Sequence, residues 1–289
     1  MRSHSVLVRR REPSAGPRLL LVLVLGTVLG VVVTASALGG PSRAVTSLAG
    51  VVSSPTPTPA PSDPMWIVRA KRVAPPNGAR RVVIQAGHWK TDEVPDELAN
   101  LRILGGAVWS NVTEQGYVLG IAEKVTAKLQ AKGYAVDLMP TTLPPGYVAD
   151  AFVAIHADGD ETGTARGFKI AHGDRRTPYD EALQQVLAEE YWKSTDLPLD
   201  LNVTPAMLEY YAWRWEKYKT ALSPYTPAVV IETGFITSAA DRAVLLLKPD
   251  KVVDGIVNGI ERFLREVPRD AVFRDELVFA RATPSPPAQ

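Results

Sequence analysis

The sequence predicts an α/β fold, a three-layer αβα arrangement around a mostly parallel sheet, preceded by an N-terminal transmembrane or signal segment. Three observations carry this expectation. Five short runs rich in β-branched residues, RVVIQA (81–86), YAVDLM (134–139), AFVAIHA (151–157), GFKIAH (167–172) and PAVVIE (227–232), are bounded by Gly, Pro or Asp, as strands are. Stretches of helical periodicity alternate with them, which calls for helices packed on both faces of a parallel sheet. Finally, residues 19–38, LLLVLVLGTVLGVVVTASAL, carry no charge, and at about 1.5 Å per helical residue they can cross a hydrocarbon core about 30 Å thick.

In chain order, residues 1–18 form a basic flank expected to stay in the cytoplasm, because Arg9, Arg10, Arg11 and Arg18 precede the apolar run. Residues 19–38 then act as a cleaved signal or a retained anchor, Ala35-Ser36-Ala37 offering a small-residue cleavage site. The following segment, 39–64, is rich in Pro, Ser and Thr and reads as an extended spacer. Residues 65–270, about 200 in all, have the size of one domain, and 271–289 read as a largely disordered tail ending TPSPPAQ. Within the domain the clearest helix is 114–132, where Val118, Ile121, Ala122, Val125 and Leu129 share one face and Gly133 stops the run. Further helices are expected at 179–193, 205–220, 239–247 and 251–265, with Ser238 and Asp241 spaced as a capping pair.

Composition narrows the chemistry. The chain has 289 residues, 46% of them hydrophobic, with 24 Pro and no Cys. Lacking thiols, it can build no disulfide, zinc ribbon, iron–sulfur centre or cysteine nucleophile, so a metal must be held by His and carboxylates. The formal charge is +1, and residues 1–50 carry six Arg against Glu12, which leaves −4 for the rest. That balance argues against general nucleic-acid binding.

In open α/β sheets ligands gather beyond the carboxyl ends of the strands. His88 follows the first run, His156 ends the AFVAI run, and Glu232 ends the PAVVI run, while Glu114 opens the amphipathic helix. Glu232 is notable because a carboxylate after four apolar strand residues is desolvated unless a cation or donor meets it. Glu114 has an alternative role, closing a capping box with Asn111. His172 also ends a strand-like run, but the HGDRRTP loop after it reads as solvent-exposed. Two histidines and one carboxylate make a zinc set with an open fourth position, suited to amide hydrolysis, and a second carboxylate nearby completes a hydrolase.

The segments QAGH (85–88), TEQGYVLGIAEKVTAKLQAKGYAV (113–136), AIHAD (154–158) and PAVVIETGFITSAADRAVL (227–245) resemble, in this order, the zinc-dependent N-acetylmuramoyl-L-alanine amidases of the amidase 3 type. The resemblance covers about residues 80–265. It implies that His88, Glu114 and His156 bind zinc and that Glu232 serves as general acid and base. Where the family usually reads Asp-Ala-Gly-His-Gly-Gly, this chain has Gln85 in place of the acid and Trp89-Lys90 in place of the glycines, and Asp158 stands where Asn is commoner. These departures bear on substrate access and on how the His88 ring is oriented.

Residues 166–226 carry no motif of that family but contain YYAWRWEKY (210–218). Leu208, Tyr211, Trp215 and Tyr218 share a helical face suited to the core, leaving Tyr210, Trp213 and Arg214 to line a cleft for sugar or peptide. The resulting expectation is an exported, membrane-tethered or secreted zinc amidase acting on peptidoglycan, between N-acetylmuramic acid and L-alanine. The alternatives are a zinc peptidase acting on another substrate and a peptidoglycan-binding protein without turnover.

Overall fold

The structure, a computed structural model, describes residues 67–174 and 177–280. The expected membrane segment 19–38 and its basic flank, the spacer, and the last residues of the expected tail lie outside the described residues. Among those described, no helix is long and apolar enough to cross a membrane.

The elements run β1 (Ile67–Arg69), β2 (Arg81–Ala86), β3 (Val108–Trp109), β4 (Val112–Thr113), α1 (Glu114–Ala131), β5 (Ala135–Met139), β6 (Ala151–Asp158), β7 (Lys169–Ala171), α2 (Pro178–Thr195), α3 (Pro205–Leu208), β8 (Ala228–Phe235), α4 (Ala239–Leu245), α5 (Pro249–Glu266), α6 (Arg269–Arg274) and β9 (Val278–Ala280). The five apolar runs thus become the central sheet, in the order β5-β2-β6-β8-β7. The first four strands are parallel, and β7 joins the edge of β8 antiparallel, so the sheet is mixed.

Helices on both faces were expected, and this is corrected. Alternate strand residues Val82, Ile84, Val153, Ile155, Val229 and Ile231 pack in one core with the apolar faces of α1, α2 and α5. Their neighbours Val83, Phe152, Ala154 and Val230 pack instead against Leu98, Leu143, Met207, Tyr211 and Leu222, from segments with no α-helix longer than α3. The cause lies in the connection from β5 back across β2 to β6. A right-handed crossover places it on the face opposite α1, and Pro140, Pro144, Pro145 and Gly146 within it forbid a helix. That face is therefore covered by 3₁₀ turns at Asp96–Ile103 and Tyr211–Trp213 and by irregular chain.

The single helix expected over 205–220 is corrected for a related reason. α3 stops at Leu208, and Tyr210 takes an extended backbone (φ −54°, ψ 131°). Tertiary bonds override the helical spacing: the Tyr211 hydroxyl donates to the Thr141 carbonyl, and Trp213 Nε1 donates to the Leu208 carbonyl at 2.9 Å. Two expected caps also differ. Thr113, not Asn111, caps α1, its hydroxyl accepting from Gly116 N at 3.2 Å. Asp241 turns away from a capping role and accepts from Gly167 N at 2.8 Å and Phe235 N at 3.0 Å, pinning the end of β8.

Residues 271–280, placed in the tail from the sequence, complete α6 and form β9, which pairs antiparallel with β1 at Val68↔Phe279. Val272, Phe273 and Phe279 are buried there beside Tyr225.

Candidate functional site

Four side chains singled out from the sequence meet at the carboxyl ends of β2, β6 and β8. Gly87 N donates to the Ile155 carbonyl at 2.9 Å, so the turn after β2 runs against β6. A Cβ at Gly87 would collide with the His156 ring, so glycine there is what lets both imidazoles share this edge. His88 follows with φ 59°, a left-handed conformation costly for a residue with a Cβ and found mainly where the surroundings enforce it.

The His88 ring is oriented through Nδ1, which donates to the Leu104 carbonyl at 2.8 Å and leaves Nε2 facing Glu114 Oε1 at 3.3 Å. His156 Nδ1 lies 3.0 Å from the same oxygen. The two rings meet edge to face with centroids 5.1 Å apart. Glu114 is held in turn by backbone donors, Ala107 N to Oε2 at 2.8 Å and Ala157 N to Oε1 at 3.1 Å. Its role is thus not that of a capping partner. Burial pushes this carboxyl up, but hydrogen bonds to His156 and His88, with the charges of both rings, outweigh it and hold the group well below the ordinary range. For His88, burial works downward and is outweighed by the hydrogen bond to Glu114 and its charge, which raise the imidazole.

One ligand atom from each of His88, Glu114 and His156 lies within 4.8 Å of the other two. Two imidazoles and one carboxylate, converging and oriented by carbonyl and amide partners, fit the donor chemistry and outer-shell support of a zinc site. His172 stands apart, donating from Nδ1 to the Gly173 carbonyl at 2.8 Å, and is not part of this group.

Glu232 sits in β8, in register with His156 on one side and Lys169 on the other. Its Oε2 is buried and has no hydrogen-bond partner. Burial pushes the carboxyl well above the ordinary range, Glu114 and Asp158 add to this, and Lys169 opposes it. Lys169 does not neutralise Glu232, because its ammonium is bonded to Asp158, lies 3.5 Å from Asp200 and sits over the Phe235 ring.

Gln85 faces away from His88, so the Leu104 carbonyl, rather than residue 85, sets the His88 ring; a backbone carbonyl sixteen residues downstream leaves no signal in a sequence. Gln85 accepts from the Tyr210 hydroxyl at 2.6 Å and donates to the Tyr211 hydroxyl at 2.8 Å, and the Tyr210 oxygen reaches His156 Nε2 at 3.4 Å. The contact of Tyr210 with the histidine was not foreseen, since it depends on the broken helix. Lys90, beside His88, is paired with Glu93 at 3.1 Å, which tempers the expected cationic edge.

Two clefts meet at this cluster. One, of about 450 Å³, runs from His88, His156 and Glu232 to Tyr210, Arg214 and Lys217. The other, of about 460 Å³, runs from the same three residues and Glu114 towards Asp158, Asp160 and Glu161. Glu232 lines both, at their junction.

Residues 82–262 match the family model described as N-acetylmuramoyl-L-alanine amidase. The N-acetylmuramoyl-L-alanine amidase LytC of Bacillus subtilis (strain 168) is 26% identical over 174 residues, covering 55% of this chain and 33% of that protein. This chain therefore spans about a third of the length of that relative. Among solved structures, an N-acetylmuramoyl-L-alanine amidase from Clostridium difficile 630 superposes with TM-score 0.46 at 21% identity, covering 65% of this chain and 98% of that one. The CwlD amidase from Clostridioides difficile, in complex with the GerS lipoprotein, gives TM-score 0.49 at 17% identity, covering 65% and 100%.

Proposed function

The chain belongs to the N-acetylmuramoyl-L-alanine amidase family, and from that premise we propose that it hydrolyses the amide joining N-acetylmuramic acid to L-alanine in peptidoglycan. The observation that supports this most directly is the unpartnered Glu232 Oε2, buried where two clefts meet beside His88 and His156. A carboxylate so placed is a proton acceptor waiting for a donor.

His88, Glu114 and His156 would hold zinc. When bound, zinc supplies Lewis acidity that lowers the pKa of water and polarises a carbonyl. The remaining work belongs to the chain. The scissile amide lies across the junction of the clefts, with sugar and peptide on opposite sides. Glu232 takes the proton of the attacking water at Oε2 and passes it to the departing nitrogen, and its raised affinity for a proton suits that shuttle. Leu104 and Ala107 keep the ligand side chains from rotating, through the carbonyl bonded to His88 and the amide bonded to Glu114.

The enzyme would work outside the cytoplasm, carried there by residues 19–38, with 39–64 as spacer. A reporter fused after residue 64 should be active only outside the cytoplasm. Product analysis on purified sacculi tests the activity. Release of stem peptides with a free L-alanine amino group, absent for Glu232→Gln, is the expected result. Zinc binding without release would overturn the reading in favour of a wall-binding protein.

A further inference from the structure

The two clefts that share the catalytic junction differ in charge. The wall of one includes Asp158, Asp160 and Glu161 and no lysine or arginine. The other carries Arg214 and Lys217, with Glu209 as its acidic residue away from the junction. Among the described residues the Arg214 guanidinium has no ion-pair partner, although the residue is largely buried. Lys217 has none either, its ammonium standing 4.9 Å from the centroid of the Tyr218 ring. Lys90, Lys169, Arg80 and Arg269 are each held by a carboxylate; among the described residues Arg72, Lys248 and Lys251 are in no ion pair either, but they do not line this cleft. A planar guanidinium in a cleft walled by Tyr210, Tyr211 and Tyr218 is a fork without its carboxylate.

The segment carrying these groups is fixed, not trailing. Arg214 N donates to the Tyr211 carbonyl at 3.0 Å, and the Arg214 carbonyl accepts from Lys217 N at 2.8 Å and Tyr218 N at 3.0 Å. Glu97 ties the far end by accepting from Lys219 N at 3.0 Å and Thr220 N at 2.9 Å. The two cations therefore line the cleft from a tight, hydrogen-bonded turn.

We propose that the Arg214–Lys217 cleft is the subsite for the peptide limb of the substrate and selects limbs bearing a free carboxylate, while the acidic cleft takes the uncharged sugar side. The assignment rests on the amidase reading and adds a direction and a charge preference to it. An anionic limb is repelled by Asp160 and Glu161, Asp158 being paired with Lys169, and attracted at Arg214, so the substrate enters in one orientation.

The test is calorimetric binding to the zinc-loaded full chain of a peptide beginning L-alanyl-γ-D-glutamyl, compared with its twin in which the glutamyl α-carboxylate is amidated. Binding of the acid about tenfold tighter than the amide is expected, with the gap narrowing at high salt. Arg214→Gln should bring the two peptides within about twofold, and Arg214→Lys should keep part of the preference. Lys217→Gln should have an intermediate effect. Circular dichroism and zinc content confirm that each variant is folded and loaded. Equal binding of acid and amide by the wild type, or an undiminished preference in Arg214→Gln, would overturn the proposal. Hydrolysis of sacculi measured in parallel separates the two readings. Peptide release without carboxylate preference sinks the subsite alone, whereas an Arg214-dependent preference without release sinks the amidase reading and leaves a carboxylate-selective peptide-binding cleft.

Discussion

The Tyr210 hydroxyl donates to the Gln85 side-chain oxygen at 2.6 Å, joining the helix-free layer to the strand that leads into His88. The same hydroxyl stands 3.4 Å from His156 Nε2, so one phenol braces both the strand and the His156 ring. Tyr210→Phe removes it without changing the ring packing against Tyr211 and Trp213. The buried Gln85 oxygen is then unpaired, at a cost of about 1–3 kcal/mol. Zinc affinity should fall on the order of tenfold through the freed His156 ring. Denaturant unfolding and a zinc titration read the two effects, and a variant identical to wild type in both would refute the brace.

The group of His88, Glu114 and His156 should take up one zinc per chain and lose it to a chelator. His88→Ala and His156→Ala should each weaken binding sharply, because two remaining ligands rarely retain zinc. Full occupancy in the double variant would sink the assignment. Glu114→Gln should do two things at once. It weakens the metal, and its amide NH₂ must face either Ala107 N or Ala157 N, so stability should also fall by about 1–3 kcal/mol. Loss of stability with zinc affinity unchanged would return Glu114 to a purely structural role.

Glu97 gives a pH prediction for the wall of the cationic cleft. Its carboxyl is held below the ordinary range first by the Thr220 hydroxyl and then by Lys219 N, with Thr220 N adding to them. A carboxyl lowered on folding contributes stability above its unfolded pKa and loses that contribution as pH falls through the folded value. Between those two values the 219–220 turn should loosen progressively on acidification. The Lys219 and Thr220 amide proton shifts should therefore titrate together with a midpoint below the ordinary glutamate value, and in Glu97→Gln that titration should vanish. A midpoint at or above the ordinary value contradicts the clamp.

Asp150, fully buried, binds the C-terminal part of the domain to the start of the sheet. It lies 2.9 Å from Arg80 Nε and 2.7 Å from Arg269 Nη2, and accepts from Arg81 N at 2.6 Å. Asp150→Ala leaves two guanidiniums facing each other without an anion, and should cost about 3 kcal/mol. Since none of these groups touches His88, Glu114 or His156, zinc affinity should not change. A thermal scan and a zinc titration on the variant check both halves.

What the sequence made legible follows from the reach of each signal. The five strands were readable as short β-branched-rich runs bounded by Gly, Pro or Asp, and the helices α1, α2 and α5 because their apolar residues recur at a period of 3.6. His88, His156 and Glu232 were readable as candidates because they stand at strand ends, where topology gathers such groups, whereas Glu114 opens a helix and entered the ligand set only through the family resemblance. The helix over 205–220 was misread because its aromatic spacing mimics an amphipathic face, while bonds to Thr141 and Gln85 hold the segment in turns. The second face of the sheet could not be read for a similar reason. Its packing residues are scattered from Leu98 to Leu222 with no common period. Phe273 and Phe279, in a stretch read as tail, are buried against Ala70 and Tyr225, partners too distant in sequence to leave a local signal.

Glu232 separates ligand from catalyst. It is in register with His156 but accepts no hydrogen bond at Oε2 and is not within the cluster of His88, Glu114 and His156. Glu232→Gln keeps the shape and removes the proton acceptor, so the rate of stem-peptide release should fall about 10²–10⁴-fold. Zinc affinity should stay near wild type, in contrast to Glu114→Gln. Stability should not suffer, because the variant deletes a carboxylate whose charge is disfavoured by burial and by Glu114 and Asp158. The sign gives a further check on the chelator-treated protein. A carboxyl raised on folding contributes stability below its unfolded pKa and loses it as pH rises through the folded value, so the wild type should gain less than the variant from neutral pH. Glu232→Gln with lowered zinc affinity would make Glu232 a ligand, and release of peptide at the wild-type rate would remove it from the chemistry altogether.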